Sequence, residues 1–165
     1  MDVWRRMFSW ARGLERSVQH DMITVGSPGC RRASRTGACA AELLALEHAA
    51  RTARRGIWAD PQHSVQRAAD PAAILGQRGR FALVEGTVLS VRESGGTIYV
   101  NFGRRWSEDF TVTIAKRSER MFAAAGMEPK RLERRRVRVR GVVEERGGPW
   151  IEAADPAQIE ILPGN

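Results

Sequence analysis

The sequence predicts an α+β fold: a five-stranded antiparallel OB-type barrel with one inserted helix, preceded by an N-terminal helical segment. Three observations predict it. Apolar residues recur in steps of three and four over about 38–58, the period of a helix with one buried stripe. From about residue 79 they recur at every second position, the period of half-buried antiparallel strands. One helical stretch separates the third strand from the fourth, and three strands, a helix and two strands is the order of a small five-stranded barrel of the OB type, which that single helix favours over an open meander sandwich.

Taken in order, residues 1–37 are mixed in composition. Trp4, Met7, Ala11, Leu14 and Val18 are spaced for a helix over about 3–18, and 24–37 ("TVGSPGCRRASRTG") reads as loop because Gly, Ser and Pro recur too often for an element. A helix is expected over 38–58, with Leu43, Leu46, Ala50, Ala53 and Ile57 as its apolar stripe. Arg51, Arg54 and Arg55 crowd its carbonyl end, where cations complement the dipole. Gly56 is placed to end it, and Asp60-Pro61 prevents its resumption. Residues 59–78 form a linker, with a short helix expected after Asp70-Pro71. The barrel domain is expected over 79–162. "FALVEGTVLSV" places Val84, Gly86 and Val88 on one face. "TIYVNFG" alternates Ile98, Val100 and Phe102 with Tyr99 and Asn101, and "DFTVTIAK" alternates Phe110, Val112 and Ile114 with Thr111 and Thr113. "RVRVRGVVEE" alternates Val137, Val139, Gly141 and Val143 with Arg136, Arg138 and Arg140. "WIEAADPAQIEIL" supplies a broken final strand. Ser94-Gly95-Gly96 makes a hairpin turn. The helix between strands three and four turns Phe122 and Ala125 inward and stops at Gly126. Gly86 and Gly141, inside strands, mark the bends a small barrel needs.

The chain of 165 residues, 42% of them apolar, is long enough for one core. No apolar run approaches the ~18 residues of a spanning helix, and the charged N-terminus lacks the apolar stretch of a secretory signal, so a cytoplasmic location is the default. Cys30 and Cys39 match no zinc spacing, and the sequence leaves a disulfide between them open. A net charge of +8 points to an anionic partner. Only Lys116 and Lys130 among the 27 basic residues are lysines, a bias that reduces the weight of any single arginine. Residues 79–165 carry 15 basic against 12 acidic residues.

"LLALEHAARTARRGIWADP" resembles the C-terminal helix of the thermonuclease (staphylococcal-nuclease-like) family, and "GTVLSV", "IYVNFGRRWSEDFTVTI" and "VRVRGVVEERGGPWIEAADPAQIEIL" resemble the OB-type domain that follows the nuclease domain in some bacterial members. The resemblance covers roughly 38–162. It implies calcium-assisted phosphodiester hydrolysis, which needs carboxylates for the metal, a glutamate to activate water and two arginines for the phosphate. The family takes these from an Asp-Gly-Asp segment, an arginine before Gly-Ile-Asp-x-Pro-Glu, and Tyr-Gly-Arg. None occurs in this sequence. Asp2, Glu15 and Asp21 are the acids of residues 1–37, and no family catalytic residue can be carried over. Relatives of this type are often exported.

The expectation is therefore a non-catalytic module that binds single-stranded nucleic acid, a truncated thermonuclease-family homologue without a cofactor. Its expected contacts are Tyr99, Asn101, Thr111 and Thr113 on the outer face of strands two and three, and Arg104, Arg105 and Trp106 in the loop between them. OB barrels bind strands across that face. Arg136, Arg138 and Arg140, at ~6.8 Å spacing, form a second expected track for phosphates, weighed against a solvated edge guarded by charge. Two alternatives stand beside this reading. One is a calcium-dependent nuclease, or part of one. The other is an interaction or membrane-surface module working through "VWRRMFSWARGLERSV". The apolar face of helix 38–58, without its usual barrel, is open to a protein partner.

Overall fold

Among the described residues, alternating valine, isoleucine and polar residues build nine strands in two sheets, rather than the five strands of one closed barrel that the sequence predicts. The structure, a computed structural model, describes residues 38–163 except Trp106, and leaves the side chains of 38–43, 46, 57 and 62 undescribed. The expected helix over 3–18, the loop 24–37, Cys30 and Trp106 lie outside the described residues, as do the side chains of Leu43, Leu46 and Ile57.

The chain divides into two units, 1–64 and 65–165. In the first, helix α1 spans Ala38–Thr52, shorter than the expected 38–58. The chain turns at Arg54, which has a positive φ of 47°, and at Gly56 (φ 59°) before a 3₁₀ turn over Gly56–Ala59. Arg51 pairs with Glu47 at 2.8 Å and lies 5.7 Å from the centre of the Trp58 ring.

In the second unit, the stretch expected to be linker contributes structure of its own. Strand β1 (Gln66–Arg67) pairs parallel with β2 (Phe81–Thr87). Helix α2 (Pro71–Leu75) starts where Asp70-Pro71 indicates, with the Asp70 carboxylate accepting a hydrogen bond from the Ala73 N–H at 3.0 Å. One sheet has the order β1-β2-β6-β9, with β6 at Arg136–Val142 and β9 at Ile159–Ile161. The other has the order β3-β4-β5-β8-β7, from β3 (Ser90–Ser94), β4 (Thr97–Asn101), β5 (Thr111–Ala115), β7 (Glu144–Arg146) and β8 (Gly148–Glu152).

Two long runs of chain pass from one sheet to the other. Only Val88 and Leu89 separate β2 from β3, and only Val143 separates β6 from β7. At the bend Val88 is fully buried: its N–H donates to the carbonyl of Arg135, the next partner in the β2–β6 register, while its own carbonyl accepts from the N–H of Arg134, one residue out of that register. The β3–β4, β4–β5, β8–β7 and β2–β6 pairs are antiparallel, and β5–β8 is parallel. This circuit is an OB-type arrangement. The all-antiparallel expectation is corrected at β5–β8 and β1–β2.

The β3–β4 hairpin closes through Gly95-Gly96, both at positive φ. Between β5 and β6, helix α3 (Glu119–Ala124) buries Phe122 completely, while Ala125, expected inward, is exposed. Phe122 and Leu132 join Val100, Val112, Ile114 and Val139 in the core. Each such side chain contributes roughly 1.5–3 kcal/mol by leaving water. Gly141 leaves room for Ile151, which a Cβ there would approach to 2.5 Å. At the break between β8 and β9, Asp155 caps a 3₁₀ turn, and buried Gln158 donates to the carbonyls of Arg140 (3.1 Å) and Glu152 (3.2 Å). Its amide oxygen accepts from the N–H groups of Ala154 and Asp155.

Candidate nucleic-acid interface

Side chains of successive strand residues point to opposite faces, so the buried Ile98, Val100, Val112, Ile114 and Ile151 fix the outer face of the five-stranded sheet. One register row of that face runs Arg92, Tyr99, Thr113, Glu152; the next runs Ser90, Asn101, Thr111, Trp150, Glu144. The four strand positions expected to face outward do so, but three of them are covered rather than open to solvent. Asn101, Thr111 and Thr113 are buried, Thr113 to 2% exposure. Thr111 and Thr113 are short side chains on β5, with the larger Tyr99 on β4 and Trp150 on β8 to either side, and Asn101 lies beside them on β4. Thr111 Oγ1 donates to Asn101 Oδ1, and Asn101 Nδ2 to Ser90 Oγ, each at 3.4 Å. These residues make a polar floor. Tyr99 and Trp150 are half-buried and Arg92 is exposed.

Trp150, which sequence reasoning missed, is the central aromatic of this face. The Arg146 guanidinium stacks over its ring at 3.5 Å, and Glu144 lies 3.7 Å from the same guanidinium. The Trp150 indole N–H and the Thr113 hydroxyl are both buried without a hydrogen-bond partner among the described residues. The signal was present in "EERGGPWIE": the glycine turn pairs β7 with β8 and brings Glu144 opposite Trp150.

The loop 102–110 is held against that same turn. Its stem closes where the Phe102 N–H donates to the Phe110 carbonyl at 3.2 Å, with ring centres 5.0 Å apart. The Asp109 carboxylate accepts from the Arg105 N–H at 2.7 Å. Gly148 sits directly under the loop: a Cβ there would lie 2.7 Å from the Asp109 carbonyl oxygen and from the carbonyl carbon of Glu108. Gly147, at φ 82°, approaches Ser107 as closely as 3.0 Å on the same measure. This docking brings Arg104 and Arg105, both exposed, to the end of the sheet that carries Arg146 and Trp150. Arg105 pairs with Glu108 at 3.1 Å, but both side chains are mostly in solvent, so the pair holds the arginine weakly.

The expected phosphate track on β6 has a different environment. Strand β6 is not an edge: β2 flanks it on one side and β9 on the other. Glu85, Arg138 and Glu160 stand in one register row across the three strands. Arg138 Nε donates to Glu85 at 2.7 Å and its terminal nitrogen to Glu160 at 2.9 Å. Arg140 reaches Glu160 at 3.1 Å and Arg136 reaches Glu85 at 3.2 Å. Arg138 and Arg140 are buried, at 7% and 2% exposure. The alternation that suggested an open charged stripe records a cross-strand ion network, because the carboxylates on the neighbouring strands were not visible in the β6 segment itself.

No helix among the described residues is long and apolar enough to cross a membrane. No protein-family model matches the chain, and no curated protein matches it. Solved structures do. An OBody bound to hen egg-white lysozyme is 20% identical over 63% of this chain and 97% of its own, with a TM-score of 0.42. Asparaginyl-tRNA synthetase from Pyrococcus horikoshii is 17% identical over 61% of this chain, with a TM-score of 0.42. This chain spans 23% of that synthetase. The S. pombe Stn1–Ten1 complex is 12% identical over 51% of this chain and 59% of its own, with a TM-score of 0.38. The OB-type arrangement of this chain rests on its own strand pairings.

Proposed function

We propose that this protein is a non-catalytic module that binds single-stranded nucleic acid across the outer face of β3-β4-β5-β8-β7. On this reading the two sheets act as one five-stranded barrel whose first and fourth strands are bent. The observation that carries the proposal is the Arg146–Trp150 stack beside the Arg104–Arg105 loop, above a polar floor with unsatisfied hydrogen-bonding groups. Aromatic faces accept any base, and neighbouring arginines hold the phosphates, so binding is weakly sequence-selective. The modest excess of basic over acidic residues on 79–165 makes affinity dependent on these few local arginines.

Kinship with the thermonuclease family forms part of the proposal, supported by the residues of the 38–58 segment and of the strands. The protein would then be a relative that retains the binding domain without the cleavage motifs.

Titration of a fluorescent single-stranded oligonucleotide of about 12 nucleotides at rising salt tests the binding. Affinity should fall linearly in log–log form, by about 0.7 in slope per phosphate neutralised. Absence of binding at low salt, or binding indifferent to salt, overturns the proposal. Incubation of the same strand with calcium tests the non-catalytic part: sustained cleavage abolished by a chelator would show a nuclease.

A further inference from the structure

The segment 130–140 holds seven basic residues, and the structure divides them sharply. Arg131, Arg136, Arg138 and Arg140 each meet a glutamate. Lys130, Arg134 and Arg135 are exposed and form no ion pair with the described residues. Arg134 is also in the left-handed backbone region, at φ 64°, a conformation disfavoured for a residue with a Cβ. Such a position persists only where its surroundings fix it. Two hydrogen bonds do so here: the Arg134 N–H donates to the Val88 carbonyl, and the Val88 N–H to the Arg135 carbonyl, both at 2.9 Å. The next residue, Leu89, is exposed, and its N–H donates to the carbonyl of Asn101, the residue at the root of the 102–110 loop. The two arginines are thus clamped at the same end of the sheet as Arg104 and Arg105, beyond β3. The Arg146–Trp150 stack lies on the other side of that loop, on β7 and β8.

We infer that Arg134 and Arg135 form a second phosphate-contact site, so that a bound single strand runs from the Arg146–Trp150 stack, past the 102–110 loop, to this connector. The inference rests on the proposed binding reading and adds its path and length. From β8 to β3 is three inter-strand steps, about 14 Å, or roughly two phosphate steps at the ~6.8 Å spacing above, so a dinucleotide held at the stack does not reach the connector and longer strands do.

The test uses the full chain carrying R134G and R135Q together, titrated with homopyrimidine strands of about 2 and about 12 nucleotides, the first shorter and the second longer than the ~14 Å path. Glycine adopts the left-handed conformation without penalty, so thermal melting should be unchanged or raised while the charge is lost. The expected result is a salt slope lower by about 1.4 for the longer strand, two phosphates at about 0.7 each, with the shorter strand unaffected. R134K, which keeps the charge, should retain the Arg134 share of the slope. An unchanged slope with the longer strand overturns the inference. So does an equal loss with both lengths, or a loss confined to binding of anionic phospholipid vesicles. R104Q/R105Q separates the two levels of the argument. If that variant weakens both strands while R134G/R135Q weakens neither, the binding reading stands and this inference falls. If the unaltered chain binds neither strand, both fall.

Discussion

Trp150 illustrates how much a single residue depends on its neighbours. Its ring is half-buried, one face is occupied by Arg146, and its N–H lacks a partner among the described residues. Trp150→Ala should therefore weaken strand binding by about 1–3 kcal/mol, the worth of a base on an aromatic, while Trp150→Phe recovers most of the loss. Fluorescence titration of both variants measures this, and equal affinities for all three proteins would remove Trp150 from the interface. Arg138 belongs to the opposite case. It is nearly buried and bridges Glu85 and Glu160, so Arg138→Ala leaves Glu85 with only the more exposed Arg136 and Glu160 with only Arg140, and opens a gap at the centre of the network. A loss of roughly 2–4 kcal/mol is expected, because breaking a buried pair costs far more than breaking a surface one. Urea denaturation checks it. Arg78, whose pair with Glu145 is largely solvated, should lose less than about 1 kcal/mol in the same experiment.

At the scale of elements, the binding loop is positioned by a turn it is not connected to. Gly148 in β8 gives the 102–110 loop its seat. Gly148→Ala should push the loop away, costing about 1–3 kcal/mol of stability for overpacking and weakening strand binding as well. Arg104→Gln should weaken binding without moving the melting temperature. A Gly148→Ala protein with unaltered affinity would show that the loop position is unimportant. Lys116 ties two other elements together, meeting Glu119 of α3 at 2.8 Å and Glu93 of β3 at 2.7 Å. Its hydrogen bonds to Glu119 and then Glu93 raise its pKa above the usual lysine value. A raised folded-state pKa means the stabilisation is fully present below the unfolded value and is lost as pH rises through the folded one. Lys116→Met should thus lower stability at neutral pH, and the difference from the unaltered protein should shrink only above about pH 10. Parallel melting curves across that range decide it.

For the whole molecule, the division at 64/65 separates the Ala38–Thr52 helix from the sheets that carry the candidate interface. The second unit contains both sheets and the whole of the described core cluster. Residues 65–165 expressed alone should therefore unfold in one cooperative transition and keep the strand affinity of the full chain. Circular dichroism melting and the same titration test this. A fragment that folds but does not bind would assign part of the interface to residues 1–64. A fragment that fails to fold would show that β1 and α2 need the preceding segment.

The sequence by itself determined the local structure. Period-2 alternation located the strands because one face of each must leave water, and Asp70-Pro71 and Gly95-Gly96 marked a helix start and a hairpin through local backbone chemistry alone. It also placed Tyr99, Thr111 and Thr113 on the outer face, since alternation needs no knowledge of neighbours. What only the tertiary structure decided was pairing and burial. Arg138 and Arg140 read as an open basic stripe until β2 and β9 brought Glu85 and Glu160 beside them. Thr113 read as a contact until the larger side chains of adjacent strands left it as floor. Trp150 acquired its place through a parallel pairing with β5 that spans some forty residues of chain. Local pattern states which way a side chain points; what it meets there is fixed by chain segments far away in sequence, through contacts that no single window contains.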